Sequence, residues 1–449
     1  MGGNPSIRSP RPKSCSSIRN SGSWPGSSLL DRRQTGGVGG LRVGRPKRQG
    51  HQLGAAVRPF PVDGSDRLIG MALKMKILHV SEVTVGGIAT YFEEIIPAQV
   101  AALGQGNVLF LVRSSFARRM PEFGLATLFT YRSEERDLGS LWRMLQSYRA
   151  VLREHRPDVV HLHSTFAGWV VRAYHMVSFR RRPRIVYCAH GWPFLMENGK
   201  LARWLSRRIE RVLYHACDRI ITISKYEDTE ARQIGIKGDK MLMIYNGISA
   251  AVPDAGASAD ETATDLADSS LNLLFVGRLD PQKGFDLLET AMQSVRRQDI
   301  CLHAIGSKIM ASKATRAAGA TSSAILFHGW LPRPAVLAYM RKCDAVIIPS
   351  RWEGFGLVAI EAMRFAKPVI ASRVGALPEI VVPGETGYLF AAQDIAGLRD
   401  IIEGLDSDEL KAMGERGYDR FIAHFTSEEL NTRLLACYAE LVEPIACCA

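Results

Sequence analysis

Cysteine pairs at metal-binding or redox spacing are missing from this chain. Its eight cysteines include no Cys-x-x-Cys pair, and several lie within apolar runs such as IVYCAH and RKCDAVII. These positions are typical of reduced, buried thiols in a cytosolic protein and argue against a zinc or disulfide framework. A run of about 18 apolar residues, long enough for a helix that spans a bilayer, is also missing. The sequence therefore predicts a soluble protein or one that lies on a surface.

Excess positive charge is scarce outside the first part of the chain. The net charge is +12 over 449 residues, but residues 1–70 alone carry 12 Lys and Arg against 3 Asp and Glu. The remaining residues are thus only mildly basic. A basic face of the kind that binds nucleic acid is not indicated, and no nucleic-acid partner is expected.

The first 74 residues differ in composition from the rest. Residues 1–70 contain 13 Gly and 7 Pro, many Ser and Arg, and little apolar periodicity. Such a segment cannot bury enough apolar surface to offset the entropy of ordering it, so residues 1–74 are predicted to be a disordered basic tail. A basic interaction arm and an organelle transit peptide are two alternatives. We favour a third, a mis-assigned start with translation beginning at Met71 or Met75.

From residue 75 onward, short apolar runs alternate with helix-like stretches, which predicts βαβ units and parallel sheets. The small, acidic and turn-rich segment 253–270 interrupts the alternation once. We therefore predict an α/β fold with two doubly wound, Rossmann-like domains, residues 75–252 and 271–425, facing across a cleft and joined by a hinge at 253–270. Residues 426–449 are predicted as a C-terminal helix that packs back toward the N-terminal domain. The predicted strands are 76–81, 108–112, 159–163, 185–189, 219–223, 273–276, 302–305, 325–327, 345–349, 369–371 and 388–390.

The strongest local signal is the run PSRWEGFGLVAIE at residues 349–361. An apolar strand enters a turn with two glycines, and a helix follows at once. The backbone amides of Phe355, Gly356 and Leu357 would lie at the positive end of that helix, where anions bind. Glu353 and Glu361 would repel a phosphate, so these carboxylates should accept hydrogen bonds from sugar hydroxyls. A tight turn with glutamates on a solvated face is the structural alternative.

A second signal is the run GRLDPQKGF at residues 277–285. A buried strand ends at Gly277, and Arg278 and Lys283 follow on either side of a proline turn. Ligands of open α/β sheets bind beyond the carboxyl ends of the strands, and two cations there suit a diphosphate. Taken alone, the two side chains are equally compatible with ordinary surface cations.

Three weaker signals lie in the first domain. Gly86 and Gly87 follow the first predicted strand, but the dinucleotide fingerprint is incomplete without its third glycine. His190 follows a strand and could reach a cleft, although a lone histidine is more often structural. Asn246, in an Asn-Gly pair, is also compatible with a plain turn.

A metal site is not predicted. His161 and His163 alternate on one strand, but no third ligand lies at a plausible sequence spacing.

In combination, the runs GRLDPQKG, PSRWEGFGLVAIEAM with its Glu-x7-Glu spacing, VGALPEIV and ETGYLF resemble the retaining glycosyltransferases of family 4. The resemblance extends from about Met75 to the C-terminus and is most specific between Leu273 and Phe390. It implies the GT-B fold and a nucleotide-diphosphate sugar as the donor substrate. No cofactor and no metal would then be needed.

The resemblance also implies roles for individual residues. Arg278 and Lys283, beside Gly277, would clamp the donor diphosphate, and Glu353 would face the transferred sugar. The amides of the donor loop match Phe355, Gly356 and Leu357, and Glu361 matches the glutamate on the nucleotide ribose.

On the other side of the cleft, Gly86 and Gly87 resemble the glycine loop near the phosphate and the acceptor. His190 resembles the histidine that contacts the sugar. Asn246 and Glu379 are weaker matches. The chain departs from the family at Gly306-Ser-Lys308, where many relatives have Gly-x-Gly, and this departure leaves the base preference open.

The predicted reaction is transfer of a hexosyl unit, with retention, to a hydroxyl of a saccharide or lipid-linked saccharide in exopolysaccharide, capsule or lipopolysaccharide assembly. A nucleotide-sugar epimerase and a non-catalytic nucleotide-sugar-binding protein are the alternatives. A nicotinamide-dependent oxidoreductase would require a fuller glycine fingerprint.

The stretch KLARWLSRRIERVLYHAC, residues 200–217, reads as a basic amphipathic helix. Helices of this kind can lie on anionic membranes, which would place the protein in the cytoplasm, peripherally on the inner face of the cytoplasmic membrane. The RRRPR cluster at residues 180–184 adds to this hypothesis. A core-packing helix with a solvated basic face is the alternative.

Overall fold

A computed structural model describes residues 75–84, 86–117, 126–133, 137–178, 182–196, 199–252, 266, 270–307 and 324–442. The predicted tail at 1–74, most of the predicted hinge at 253–270, Lys308 and residues 443–449 lie outside the described residues.

The N-terminal domain is built on a sheet of seven parallel strands in the order β3-β2-β1-β4-β5-β6-β7. Its inner strands β1, β2 and β4 are buried along their whole length, as expected for a parallel sheet covered on both faces. The chain reverses its strand order between β1 and β4, and ligands of such folds bind at this switch point. The strands are β1 Ile77–Ser81, β2 Val108–Arg113, β3 Thr127–Tyr131, β4 Val159–His163, β5 Arg184–Cys188, β6 Arg219–Thr222 and β7 Met241–Met243.

The C-terminal domain contains a second parallel sheet, of six strands, in the order β10-β9-β8-β11-β12-β13. Its switch point lies between β8 and β11, whose carboxyl ends lead into the two motif-bearing loops. The strands are β8 Leu271–Val276, β9 Ile300–Ile305, β10 Ala324–Gly329, β11 Ala345–Ile348, β12 Val369–Ser372 and β13 Gly387–Phe390.

Helices connect the strands of both sheets. In the N-terminal domain they are α1 Gly87–Leu103, the single turn α2 Ser114–Ala117, α3 Leu138–His155, α4 Thr165–Val177, α5 Lys200–Leu213 and α6 Lys225–Gln233. In the rest of the chain they are α7 Phe285–Ser294, α8 Arg333–Lys342, α9 Leu357–Arg364, the single turn α10 Leu377–Ile380, α11 Ile395–Glu403, α12 Ser407–His424 and α13 Ser427–Val442.

This architecture confirms the predicted fold class of two Rossmann-like domains. The predicted strands are present, most of them within one or two residues of the predicted ends. The sequence analysis missed β3 and β7. In β3, the edge strand of its sheet, Leu128 and Thr130 are exposed, and β7 is only three residues long and half-buried. Neither strand therefore has the continuous apolar run that marks a buried strand.

The C-terminal helix α13 packs against helix α1 and strand β4 of the N-terminal domain. Asn431 donates its side-chain amide to the backbone oxygen of Glu94 at 3.0 Å. The Tyr438 hydroxyl lies 2.6 Å from His161 Nδ1. Helix α13 thus packs against the N-terminal domain.

Helix α5 faces the core with a buried glutamate. Glu210 is fully buried and accepts hydrogen bonds from Arg172 at 2.9 Å, Trp169 at 2.7 Å and Tyr187 at 3.1 Å. Four large apolar side chains of α5 point outward, with Leu201 75%, Trp204 52%, Leu205 50% and Val212 53% exposed, whereas Leu213 is buried. The core-packing alternative for this helix is therefore wrong for these four residues, because the buried ion pair of Glu210 fixes the opposite face.

None of the helices among the described residues is long and apolar enough to cross a bilayer.

Removal of the buried carboxylate tests the anchor of α5. Glu210→Ala leaves the Arg172 guanidinium without its partner in the core, and we expect a loss of about 3–5 kcal/mol in unfolding free energy. The matched control is Glu440→Ala, which removes an exposed pair with Arg219 at 3.5 Å and should cost less than about 1 kcal/mol. Urea denaturation followed by circular dichroism measures both. Equal losses in the two variants would contradict the anchoring role.

Candidate active site

Two loops at the carboxyl edge of the second sheet abut so closely that one position tolerates only glycine. Gly284 has a φ of +66°, and a Cβ atom there would lie 2.0 Å from the backbone oxygen of Pro349. The loops are joined again by the Arg351 amide, which donates to the Gln282 backbone oxygen at 2.9 Å. The GRLDPQKG and PSRWEGFG motifs therefore form one surface.

On that surface, Lys283 and Glu353 form an ion pair. Lys283 Nζ lies 2.7 Å from Glu353 Oε2, and the Ser350 hydroxyl donates to the same oxygen at 3.1 Å. Both charged side chains are largely buried. The structure thus brings together the predicted phosphate cation and the glutamate predicted to face the sugar.

Arg278 takes a different position from Lys283. Its guanidinium contacts Asp280 at 3.0 Å and Gln282 at 2.7 Å, both in its own loop, and its side chain is 54% exposed. Gly277 is packed against the Lys283 side chain at 3.4 Å from its Cβ position. Only one of the two predicted cations therefore reaches Glu353.

The turn that precedes α9 has the geometry of an anion-binding helix start. Gly356 is the N-cap, with a φ of +97°, and no side chain caps it. The first amides of an α-helix have no intrahelical acceptor. The amides that follow Gly356, together with the amide of the neighbouring Phe355, can therefore donate to an anion. A Cβ on Gly375 would lie 2.0 Å from the Glu353 backbone oxygen, so the adjoining loop packs directly under this turn.

Glu361 is held by a residue that the sequence analysis missed. Arg333, at the start of α8, lies 3.4 Å from Glu361 and also contacts Glu93 and Thr90 of α1, each at 3.1 Å. Burial raises the pKa of Glu361, while the Arg333 charge lowers it. Arg333 therefore links the predicted ribose carboxylate to the N-terminal domain. The sequence analysis missed Arg333 because it lies in no recognisable motif and its partners in α1 are 240 and 243 residues away in sequence.

The N-terminal domain contributes two loops to the same place. Gly86, with a φ of +71°, precedes α1, and the Cβ position of Gly87 is 3.1 Å from Leu357 Cδ1 of the donor loop. In the other loop, the Cβ position of Gly354 lies 3.7 Å from the His190 backbone oxygen. The predicted residues Gly87, His190 and Leu357 thus meet across one cleft.

The His190 loop is strained and is held from beneath. His190 has a φ of +52°, which is uncommon for a residue with a side chain. Below it, Glu227 is fully buried, and its Oε2 accepts a hydrogen bond from the Ile223 amide at 3.3 Å. Burial raises the pKa of Glu227 to about 8, although the nearby backbone amides of Ile223 and Gly191 act in the opposite direction. The sequence analysis missed Glu227 because a glutamate in the first turn of a helix is unremarkable.

Asn246 and Glu379 lie where segments of the two domains meet. Asn246 is buried next to Gly247, whose Cβ position would clash with the Thr426 backbone oxygen. The Glu379 carboxylate accepts hydrogen bonds from the first amides of α6, those of Lys225 at 2.8 Å and Tyr226 at 2.7 Å. Glu379 therefore connects the two domains at the N-terminus of a helix.

The sequence analysis excluded a metal at His161 and His163 because it found no third ligand at a plausible sequence spacing. This premise was wrong. Strand pairing places His79 of β1 opposite His161 of β4. One ligand nitrogen from each of His79, His161 and His163 falls within 4.8 Å of the others. A third ligand is therefore close in space although it is 82 residues distant in sequence from His161.

The fold and this cleft define a two-domain GT-B protein. The family model described as glycosyl transferases group 1 matches residues 259–420, and the model for glycosyltransferase family 4 matches residues 85–252. The two matches together span both domains. The chain belongs to these glycosyltransferases, which confirms the predicted family and enzyme class.

Relatives named in curated collections support this assignment. The chain is 28% identical over 353 residues to an uncharacterised 41.2 kDa protein from the cps region of Klebsiella pneumoniae, a match that covers 76% of this chain and 92% of that one. It is 34% identical over 227 residues to an uncharacterised glycosyltransferase of Methanocaldococcus jannaschii, covering 50% of this chain and 60% of that one.

Solved structures share the fold. Sucrose-phosphate synthase from Thermosynechococcus elongatus gives a TM-score of 0.68 at 21% identity, covering 82% of this chain and 99% of that one. Anabaena HepE, solved in complex with UDP and glucose, gives 0.67 at 19% identity, covering 82% and 100%.

The raised pKa of Glu227 predicts a specific pH dependence. The folded state keeps a proton on this carboxyl up to about pH 8, whereas the unfolded chain loses it near the ordinary value of 4.5. Stability should therefore fall as the pH rises from about 5 to 8, by up to about 1.4 kcal/mol per pH unit from this group. Glu227→Gln should remove that component, as measured by urea denaturation at each pH. Glu415→Gln, at an exposed position of α12, is the control, and identical slopes in wild type and Glu227→Gln would refute the assignment.

Proposed function

We propose that this glycosyltransferase transfers a hexosyl unit from a nucleotide-diphosphate sugar, with retention of configuration, to a hydroxyl of a saccharide or lipid-linked saccharide. The observation that carries the proposal is the 2.7 Å contact between Lys283 and Glu353 beside an uncapped helix N-terminus. This arrangement puts positive charge and backbone amides where a diphosphate would leave, and a carboxylate where sugar hydroxyls would lie. HepE, with the same fold, was solved with UDP and glucose, which supports a nucleotide-sugar donor.

In the proposed reaction, the bond between the anomeric carbon and the diphosphate oxygen breaks on the face that the acceptor hydroxyl attacks. The acceptor oxygen bonds to the anomeric carbon, and its proton passes to the leaving phosphate oxygen. Lys283 and the amides of Phe355, Gly356 and Leu357 stabilise the charge that develops on the diphosphate. Arg278 would join them after leaving Asp280. Catalysis then depends on electrostatics and on positioning of the two substrates.

The remaining groups would hold the donor. Glu361 would accept hydrogen bonds from the ribose, and His190 and Glu353 would contact the sugar. Gly86 and Gly87 would let the acceptor and the phosphate approach the backbone closely. Asn246 and Glu379 would act by placing the two domains. The donor is a substrate, and no cofactor has a role in this scheme.

A role in capsule, exopolysaccharide or lipopolysaccharide assembly is proposed from the names of the proteins that this chain resembles. One relative comes from a cps region. Two solved structures of the same fold are named as lipopolysaccharide enzymes, the outer core galactosyltransferase WaaB and the glycosyltransferase WaaG. An acceptor of this kind is often carried on a lipid, so the enzyme would work at a membrane surface.

Helix α5 is the surface that we propose to meet that membrane. Its exposed apolar residues Leu201, Trp204, Leu205 and Val212 are interleaved with Lys200, Arg203, Arg207, Arg208 and Arg211. Apolar side chains would enter the interface, while five cations would meet anionic head groups. Because this face carries five cations, the partner that we propose for it is an anionic lipid surface.

A donor panel tests the function. UDP-, GDP- and ADP-glucose are added to the wild-type protein, and one of them should raise Tm because it binds only the folded state. With that donor, Lys283→Ala should lower turnover about 10²-fold or more, since it removes charge stabilisation from the transition state. Lys411→Ala, on an exposed position of α12, should keep full activity. No Tm shift with any donor, or an unaffected rate in Lys283→Ala, would argue against the proposed site.

Flotation on liposomes tests the membrane face. Wild-type protein should float with vesicles containing anionic lipid and should remain at the bottom with neutral ones. Trp204→Ser should reduce binding about tenfold or more, because insertion of a tryptophan contributes on the order of 2 kcal/mol. Trp330→Ser removes a more exposed tryptophan, 74% accessible against 52% for Trp204, from the other domain and should bind as wild type. Equal loss in both variants would contradict a specific role of α5.

A further inference from the structure

A row of histidines connects the interior of the N-terminal domain to the cleft. His79 lies on β1 and His163 on β4, and both side chains are fully buried. His190 follows β5 and is half-buried at the cleft. The mechanism proposed above uses His190 alone and assigns nothing to the two buried rings.

Hydrogen bonds join these side chains in a single file that starts in helix α1. Gln99 Oε1 lies 2.7 Å from His79 Nε2. His79 Nδ1 lies 2.9 Å from His163 Nε2, and His163 Nδ1 lies 3.0 Å from His190 Nε2. The last nitrogen, His190 Nδ1, has no hydrogen-bond partner among the described residues. We call Gln99, His79, His163 and His190 the histidine chain.

The first member of the histidine chain determines the direction of all its hydrogen bonds. A neutral imidazole has one N–H, so one ring nitrogen donates and the other accepts. Gln99 Oε1 can only accept, which requires His79 to carry its proton on Nε2 and to accept at Nδ1. His163 must then donate from Nε2 and accept at Nδ1, and His190 must donate from Nε2.

Burial keeps the rings neutral, as this scheme requires. It lowers the pKa of His79 to about 4 and that of His190 to about 3. It also lowers the pKa of His163 well below its usual value. Each ring therefore carries a single proton at neutral pH, and the choice of tautomer is the only variable left.

We infer that Gln99, His79 and His163 are positioning residues that fix His190 as the Nε2–H tautomer and leave its Nδ1 lone pair for a ligand hydroxyl. The inference rests on the proposed function, in which His190 meets the transferred sugar. A bare Nδ1 accepts a hydrogen bond from a hydroxyl but cannot donate to a phosphate oxygen. The histidine chain thereby directs the sugar, and not the diphosphate, to this side of the cleft.

A metal ion held by His79, His161 and His163 is the competing interpretation, and the geometry disfavours it. His79 Nδ1 and His163 Nε2 are 2.9 Å apart, a hydrogen-bond distance, whereas two nitrogens bound to one zinc ion at about 2.0–2.1 Å would be about 3.4 Å apart. The rings of His161 and His163 lie side by side, with centroids 4.0 Å apart and planes at 38°. His79 and His163 also direct their nitrogens at each other.

The experiment measures the tautomers directly. Protein labelled with 15N-histidine is studied by long-range 1H–15N NMR at pH 7, and assignments come from single His→Gln variants. His190 in the wild type should show a protonated Nε2 and a bare Nδ1. Gln99→Leu removes the acceptor and should shift His190 toward the Nδ1–H tautomer, whereas Gln99→Glu keeps an acceptor and should retain the wild-type tautomer.

The C-terminal domain offers a matched control. Asn272 Oδ1 lies 3.1 Å from His303 Nε2, and His303 Nδ1 lies 3.1 Å from His328 Nε2. Asn272→Leu therefore removes an amide acceptor from a similar pair, the buried His303 and the half-buried His328, that does not include His190. It should leave the His190 signals unchanged.

Binding provides a readout that a purely structural role would not give. Calorimetry compares UDP with UDP-glucose, GDP with GDP-glucose and ADP with ADP-glucose. For the pair that binds, Gln99→Leu should weaken the sugar nucleotide about tenfold, the value of one hydrogen bond, and leave the nucleoside diphosphate unchanged. Asn272→Leu should change neither affinity.

Three results would overturn the inference. One is a bare Nε2 on His190 in the wild type. The second is equal weakening of nucleoside diphosphate and sugar nucleotide in Gln99→Leu. The third is one equivalent of zinc or cobalt retained after dialysis, because His79 and His163 would then be metal ligands. If no nucleotide binds at all, the proposed function fails, while the NMR measurement still decides the tautomer of His190.

Discussion

The donor half of the cleft depends on the contact between two loops at Gly284 and Pro349. A side chain at Gly284 would have its Cβ 2.0 Å from a backbone oxygen, so the loops can meet only where a side chain is missing. Because Lys283 is the preceding residue, this contact also fixes where its ammonium group lies. The ion pair with Glu353 follows from it, since the glutamate belongs to the second loop. A largely buried pair of this kind is costly to break on one side only, so it keeps both side chains in place until a ligand offers new partners.

Polar contacts join the two domains around this site. Arg333 reaches from the start of α8 to Glu93 and Thr90 of α1, and Glu379 caps helix α6. Apolar packing joins the domains as well, since the ring of Tyr245 lies 6.0 Å from that of Phe355 and one hydrophobic cluster includes buried residues of both domains. Arg333 also contacts Glu361 at 3.4 Å, so a ligand that binds this carboxylate would compete with the guanidinium that links the domains. If Glu361 binds the donor ribose as proposed, donor binding would be coupled to the contact between the domains through Arg333.

The sequence allowed the fold and the two motif-bearing loops to be predicted because both are encoded locally. Strand and helix periods mark the βαβ units, and Gly284, Gly356 and Lys283 lie within short runs of recognisable chemistry. Partnerships between distant segments could not be found in this way. His79 meets His161 through the register of β1 and β4, which no local pattern specifies.

The orientation of α5 illustrates a second limit. Its amphipathic pattern shows that one side is apolar but does not show which side faces the core. Glu210 decides this, because its three hydrogen-bond donors come from α4 and β5. In the sequence, a single carboxylate does not indicate which side faces the core, because the helix also contains six large apolar residues. The physical reason is that burial of a charge depends on partners supplied by the rest of the fold.

The two sides of the cleft differ in the kind of polar group that they present. The C-terminal domain brings formal charges, on Lys283, Glu353 and Glu361, and the positive end of a helix. The N-terminal domain brings glycine backbone and a histidine whose pKa burial lowers to about 3, and which is therefore neutral. A diphosphate that leaves with a growing negative charge requires cations and amides, because in a partly buried site charge is stabilised only by preorganised charge or dipoles. Sugar hydroxyls can donate to the neutral His190 ring as well as to the Glu353 carboxylate, and a neutral ring does not attract the phosphate. In the proposed reaction, this distribution would hold the diphosphate at the C-terminal domain, with the sugar between Glu353 and His190.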